Sequence, residues 1–177
     1  MSRIAMSKLD DLSPTASEFV TRRGRLNVFR LLAGAPQVFD GWVRMVDAQL
    51  NSTTISARLC ELVILRVAYL QRSRYELAQH VDVARREGIT ESEIAAVTSD
   101  GPVTGFAPAE DAVLSFVTEL VTTGTVGAES FAAVDAQLGT AAATELLLLV
   151  SLYYGLALVL NASDVDIDRA DRLEVRR

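Results

Sequence analysis

Residues 58–97 read RLCELVILRVAYLQRSRYELAQHVDVARREGITESEIAAV, and their periodicity decides the fold class. A long apolar helix runs from about Ile55 to Leu70. A polar break at Gln71-Arg72 leads into a second helix, Ser73 to Glu87, whose apolar positions recur every three or four residues. Gly88 closes that helix. Thr90-Glu91-Ser92-Glu93 then opens a short third one, because a hydroxyl followed three positions later by a carboxylate is a capping box.

The same pattern extends in both directions. Upstream, Ala16 to Leu32 reads as one helix stopped by Gly34-Ala35-Pro36. Gln37 to Leu50 follows as an amphipathic helix carrying Phe39 and Trp42, and Asn51 to Thr54 is a turn. Downstream, Thr98 to Pro108 holds two glycines and two prolines, which makes it the candidate hinge or lid. Ala109 to Thr123, Gly127 to Leu138 and Thr140 to Asn161 are three further helices. With no β-alternating run, the fold class is all-α, a bundle of seven to eight helices. The expected organisation is a flexible arm over residues 1–15 and a single domain over 16–177.

Composition narrows the function classes. A hydrophobic fraction of 50% over 177 residues is ample for a large core or a buried subunit interface. A net charge of -6 argues against a nucleic-acid partner, since phosphate binding needs clustered Lys and Arg. The tail Asp168 to Arg177 is mixed in sign and reads as a solvated end. A single cysteine, Cys60, excludes both an intrachain disulfide and a Cys-rich zinc site, and fits a cytoplasmic setting. Met1 to Asp11 lacks the apolar run of a secretory signal. The most membrane-like stretch, Leu146 to Leu160, falls short of the roughly 20 residues needed to span a bilayer. It reads instead as a bundle centre or an oligomer contact, with no membrane partner.

On the second helix, projection at about 100° per residue places Arg74, Tyr75, Gln79, Asp82, Arg85 and Arg86 on a solvated face. Leu77, Val81, Val83 and Ala84 lie opposite, and Ser73, Glu76 and His80 fall on that apolar side. A carboxylate and an imidazole on a core-facing stripe must be satisfied by partners, because burying them alone costs several kcal/mol. They can pair with each other across one helical turn. Glu61 on the preceding helix is the other acidic candidate, and an ion pair with Arg58 is its simpler explanation. A purely structural hydrogen-bonded pair remains the alternative for Glu76 and His80.

The quoted stretch resembles the core motif of the carboxymuconolactone decarboxylase/alkylhydroperoxidase-D-like superfamily. The flanking segments LNVFRLLAGAPQVFDGWVRMVDAQL and LVSLYYGLALVLNASDVDID resemble that family's neighbouring helices. In its peroxidase branch a glutamate is followed, after eleven residues, by Cys-x-x-Cys-x-x-x-His. Here Glu61 and His80 match the glutamate and the histidine, while Ser73 and Glu76 stand at the cysteine positions. Without a thiolate pair the oxidation and resolution cycle cannot run. Cys60 points away from Glu61 along its helix and has no second cysteine to resolve it.

The resemblance implies a cofactor-independent acid/base enzyme, a decarboxylase of a small carboxylated lactone or an aromatic or polyketide-like ring. A cofactorless isomerase or cyclase, and a non-catalytic member, are the alternatives. By analogy His80 is the general acid or base and Glu61 orients it. Burial should raise the pKa of Glu76, and Ser73 supplies a hydrogen bond. Trp42, Phe39 and Tyr69, with Tyr153 or Tyr154, are candidate substrate walls. Arg58, among the arginines flanking the motif, is the candidate to hold a substrate carboxylate. No cofactor and no metal are expected, although Glu76-x-x-x-His80 with Glu61 has the composition of a non-haem iron ligand set. The family's assemblies imply a homo-oligomer, a trimer or hexamer.

Overall fold

The computed structural model describes residues 2–168 and contains nine α-helices and one 3₁₀ turn, with no strand among the described residues. The helices are α1 (Pro14–Arg22), α2 (Asn27–Leu32), α3 (Pro36–Asn51), α4 (Ala57–Leu70), α5 (Arg74–Arg86), α6 (Glu91–Val97), α7 (Pro108–Thr123), α8 (Ala128–Leu138) and α9 (Thr140–Ser163). The mixed-charge tail beyond Asp168 lies outside the described residues.

The chain groups into two compact units, Met1–Ala48 with Val159–Arg177, and Gln49–Leu158. In the first, the segment expected as one helix from Ala16 to Leu32 is two. Gly24 and Arg25 adopt positive φ (73° and 55°), a left-handed conformation that no helix continues through. The break turns Leu26 into the core and lets α2 start anew, its first N–H bonded to both carboxylate oxygens of Asp168 at 3.1 Å. Edge-to-face rings, Phe19 on Phe29 at 5.1 Å and Phe19 on Phe39 at 6.0 Å, fill this core, and Trp42 tilts onto Phe29. Residues 2–13, expected as an arm, are bonded to the rest: Arg3 N–H to the Ser163 carbonyl, and Ser7 N–H to that of Arg30.

In the second unit the order of helices follows the sequence reading. Ser56 caps α4 by accepting the Leu59 N–H at 3.2 Å, and Arg72, at φ 54°, makes the break before α5. Thr90 and Glu93 form the expected capping box at the start of α6. Gly124, at φ 82°, ends α7 in the left-handed conformation that glycine adopts without steric cost. Leu62 and Leu65 of α4, Ala84 of α5, Ile94 and Val97 of α6 and Leu114 of α7 form one continuous buried cluster. That packing fixes α4 and α5 against each other.

The loop before α7 is tied at both ends. Arg66, 1% exposed, donates to the carbonyls of Val97, Ser99 and Gly101 at 3.2, 2.7 and 3.0 Å and to the Thr118 hydroxyl at 2.9 Å. The Asp111 carboxylate accepts the Gly105 and Phe106 N–H groups at the other end. A segment whose composition suggests a lid is therefore clasped to the core.

Helix α9 is longer than its apolar run, because Thr140 to Glu145 precede it and Asn161 to Ser163 follow. At 24 residues it is long and apolar enough to cross a membrane by length and composition alone. Leu146, Leu149, Val150, Leu152, Tyr153 and Ala157 are nevertheless buried within the protein.

Candidate active site

Glu61 sits in the middle of α4 between buried leucines and valines, 6% exposed, and its side chain reaches α5. There Glu61 Oε2 lies 2.8 Å from Nδ1 of His80, whose side chain is 12% exposed. A carboxylate can only accept, so the imidazole donates to it from Nδ1, which leaves Nε2 as the nitrogen turned towards other partners. Tyr153 of α9 packs edge-on against the ring, centroids 5.2 Å apart at 85°, which leaves the imidazole little freedom to rotate. The alternative partner for Glu61, Arg58, bonds instead to Glu93 and Glu110.

Ser73 and Glu76 complete the inward stripe. Ser73 occupies the N-cap position of α5, where a serine ordinarily accepts a backbone N–H, yet it makes no side-chain cap. Its hydroxyl is fully buried and has no hydrogen-bond partner among the described residues. Both carboxyl oxygens of Glu76, 2% exposed, are in the same condition. Burial pushes the Glu76 carboxyl up to about 7, offset in part by the nearby Ser73 hydroxyl and by His80. Glu76 thus exchanges its proton near neutrality rather than in the acid range of an ordinary carboxyl. The stripe contains an oriented imidazole and a carboxyl that titrates near neutrality, the two ends of a proton-transfer system.

The other expected residues lie elsewhere. Arg58 is engaged with Glu93 and Glu110, at 2.5 and 2.8 Å, and with the Gly88 carbonyl at 3.2 Å, so its fork is occupied. Tyr69 donates its hydroxyl to Asp100 at 2.9 Å and lies beneath the Arg66 guanidinium. Phe39 and Trp42 belong to the aromatic core of the first unit, where both also line a largely apolar cavity of about 430 Å³ with Leu31 and Val38. Burial raises the Cys60 thiol to about 11, far from a reactive thiolate. Among the described residues no three His, Cys, Asp or Glu side chains converge as a metal would require.

One placement on α5 departs from the helical projection. Tyr75 and Gln79, assigned to the solvated face, are 6% and 2% exposed, because α5 is covered on more than one side. Of the two adjacent tyrosines named as candidate walls in α9, contact with the His80 ring singles out Tyr153.

The fold and site define an all-helical protein with a buried carboxylate–imidazole dyad and no thiol pair. Residues 36–119, which contain the dyad, match the Carboxymuconolactone decarboxylase family. No curated protein matches the sequence significantly. Among solved structures, an uncharacterized peroxidase-related protein with an alkylhydroperoxidase AhpD core, from Ralstonia eutropha JMP134, superposes with a TM-score of 0.85 at 17% identity. That superposition covers 99% of this chain and 97% of the other. A peroxidase-related protein from Silicibacter sp. TM1040 gives 0.83 at 11% identity over 99% and 96%. The debrominase Bmp8, in complex with 2,3,4-tribromopyrrole, gives 0.77 at 16% identity over 98% and 94%. At such identities the likeness is one of fold.

Proposed function

We propose that this protein is a cofactor-independent acid/base enzyme that moves a proton at a carbon of a small ring compound, with decarboxylation of a carboxylated lactone or aromatic or polyketide-like ring as its first reading. The observation that carries the proposal is the Glu61–His80 hydrogen bond at 2.8 Å, with a largely buried imidazole oriented so that Nε2 is the working nitrogen. A debrominase of the same fold binds a brominated pyrrole, which supports a small ring as ligand.

In decarboxylation, the bond to the carboxyl carbon breaks, CO₂ leaves, and the electron pair delocalises onto an adjacent carbonyl as an enolate. The carbon then takes a proton from His80 Nε2–H, the imidazolium being balanced by Glu61, and the ring regains its proton from solvent. Glu76, in the protonated form that burial keeps populated up to about pH 7, donates a hydrogen bond to the enolate oxygen, and Ser73 adds a second. Such a donor set acts where charge develops.

One observation favours the second reading, a cofactorless isomerase or cyclase. Arg58, the arginine expected to anchor a substrate carboxylate, is occupied by two glutamates. In isomerisation Nε2 removes a proton from one carbon, the enolate oxygen is held by Glu76, and the proton returns to a neighbouring carbon. No carboxylate anchor is then needed.

The test is His80→Ala assayed on a panel of carboxylated and uncarboxylated lactones and cyclic ketones, following CO₂ release and, in D₂O, deuterium incorporation at carbon. The expected loss is on the order of 10²–10⁴ in rate. A variant that retains full activity would sink the proposal. CO₂ release selects the lyase, and exchange without CO₂ selects the isomerase.

A further inference from the structure

The polar groups of the candidate site fall into two pairs with different needs. Glu61 and His80 satisfy one another between α4 and α5 at 2.8 Å. Ser73 and Glu76, 0% and 2% exposed, sit beside each other at the start of α5 with no further hydrogen-bond partner among the described residues. Keeping a hydroxyl and both oxygens of a carboxyl from water is costly. The apolar packing of α5 on α4 does not require it, since Leu77, Val81 and Ala84 make that contact. His80 is the most accessible of the four and marks the side from which a ligand reaches the pair.

Charge narrows what that ligand can be. Residues 49–158, the second unit without its last helical turns, carry 13 Asp and Glu against six Arg and no Lys. Arg58 is held by Glu93 and Glu110, Arg66 by the carbonyls of Val97, Ser99 and Gly101, and Arg85 by Asp82 and Glu91. Arg72, Arg74 and Arg86 are exposed. Among the described residues of this unit, then, no cation meets Ser73, Glu76 or His80. A carboxylate ligand would enter beside Glu61 and Glu76 without a countercharge, and the surplus of acidic groups repels it at longer range.

We infer that the site takes an uncharged ring in which a carbonyl stands beside an N–H, a cyclic amide, held by paired hydrogen bonds to the Glu76 carboxyl with the Ser73 hydroxyl alongside. A protonated carboxyl donates from one oxygen and accepts on the other, the complement of a carbonyl and its neighbouring N–H. A lactone has no such N–H and leaves one Glu76 oxygen unpaired. Burial acts in the same direction, since it raises the carboxyl to about 7 and keeps the donor form populated below that pH. The inference rests on the reading of this stripe as an acid/base site, and it names the substrate class. Side chains at i and i+4 of a helix stand about 5–6 Å apart at Cβ. With its carbonyl on Glu76, the ring therefore brings an adjoining carbon within reach of His80 Nε2, which suits proton movement beside a carbonyl without loss of CO₂.

His80 is the only histidine in the chain, so its imidazole NMR resonance reports occupancy of the site. The test follows that resonance while the full chain, at about pH 6 and so below the Glu76 titration, is titrated with four ring probes. These are 2-pyridone, N-methyl-2-pyridone, benzoate and benzamidinium. The expected result is that 2-pyridone binds at least about tenfold more tightly than each of the others. Glu76→Leu should remove that preference, and Glu76→Gln, whose amide offers the same donor and acceptor, should keep it. Should a variant fail to fold, the ranking of the four probes on the wild type decides alone. No response to 2-pyridone up to roughly 10 mM, or equal or tighter binding of any other probe, would overturn the inference. So would loss of the preference in a folded Glu76→Gln. The ranking measures binding and not turnover, so its failure is distinct from that of the acid/base reading, which full activity of His80→Ala would overturn.

Discussion

Two hydroxyl-x-x-glutamate sequences lie 17 residues apart in this chain, Ser73-x-x-Glu76 and Thr90-x-x-Glu93, and they have opposite fates. At Thr90 the capping box forms: the Glu93 N–H donates to the threonine hydroxyl at 3.3 Å and the Thr90 N–H donates to the Glu93 carboxylate at 2.8 Å. Arg58 first, and the Thr90 N–H second, hold the Glu93 carboxyl down to about 2. At Ser73 the same spacing yields no cap, the two side chains turn inward beside each other with no further hydrogen-bond partner among the described residues, and Glu76 rises to about 7. The motif is identical in kind. The difference is that α6 opens at the surface, where a carboxylate finds an arginine and a solvated cap, whereas α5 opens against α4 in the interior. A carboxyl kept buried without partners is costly, and its retention beside an oriented imidazole is what marks the stripe as a candidate site.

The largest expected effect is at Glu76. Its carboxyl titrates near 4.5 in the unfolded chain and at about 7 in the folded one. Between those values the unfolded state has lost the proton and the folded state keeps it, so this group's contribution to stability falls as pH rises from 4.5 to about 7 and is level above. Glu76→Gln should therefore raise unfolding free energy by on the order of 3 kcal/mol at pH 8 and by little below pH 4.5. Urea melts at both pH values measure it. A variant no more stable at pH 8 would mean that Glu76 has found a partner and that the comparison fails.

Thr90→Ala should cost about 1 kcal/mol, the usual worth of an N-cap hydroxyl. The sign of the pH effect is reversed from that of Glu76: the support Glu93 receives is present above about pH 4.5 and is lost as pH falls towards 2. Thermal melts from pH 2 to 6, wild type against Thr90→Ala, separate the hydroxyl from the carboxylate. The smallest effect belongs to Ser73→Ala, expected near zero or slightly stabilising because the hydroxyl it removes is buried and unpaired. A loss comparable to that of Thr90→Ala would show that Ser73 caps α5 after all.

Much of the fold was legible in the sequence because helix periodicity and punctuation are local. The breaks at Gln71-Arg72 and Gly88, the box at Thr90 and the stops at Gly124 and Gly139 are all set by a few adjacent residues. The break at Gly24-Arg25 was not, since a positive φ at an arginine is imposed by the burial of Leu26 and the docking of α2 rather than by residue type. At the site, Glu61, Ser73, Glu76 and His80 could be selected by spacing. Their partners could not: an arginine three residues from a helical glutamate, and a tyrosine on the same helix, read the same in sequence whether they pair nearby or turn to a distant segment. Arg58 turned to Glu93 and Glu110, and Tyr69 to Asp100, through contacts more than thirty residues away.

The sequence by itself determined the helices, the absence of a thiol pair and the stripe on which a serine, a glutamate and a histidine share one side of α5, because each follows from composition or from a period of 3.6 residues. Tertiary structure alone decided that Glu61 meets His80 at Nδ1, that Tyr153 holds the ring, and that one hydroxyl-x-x-glutamate caps its helix while the other is buried without a partner. Which neighbour a polar group meets depends on how helices pack, and packing is not written at any single position.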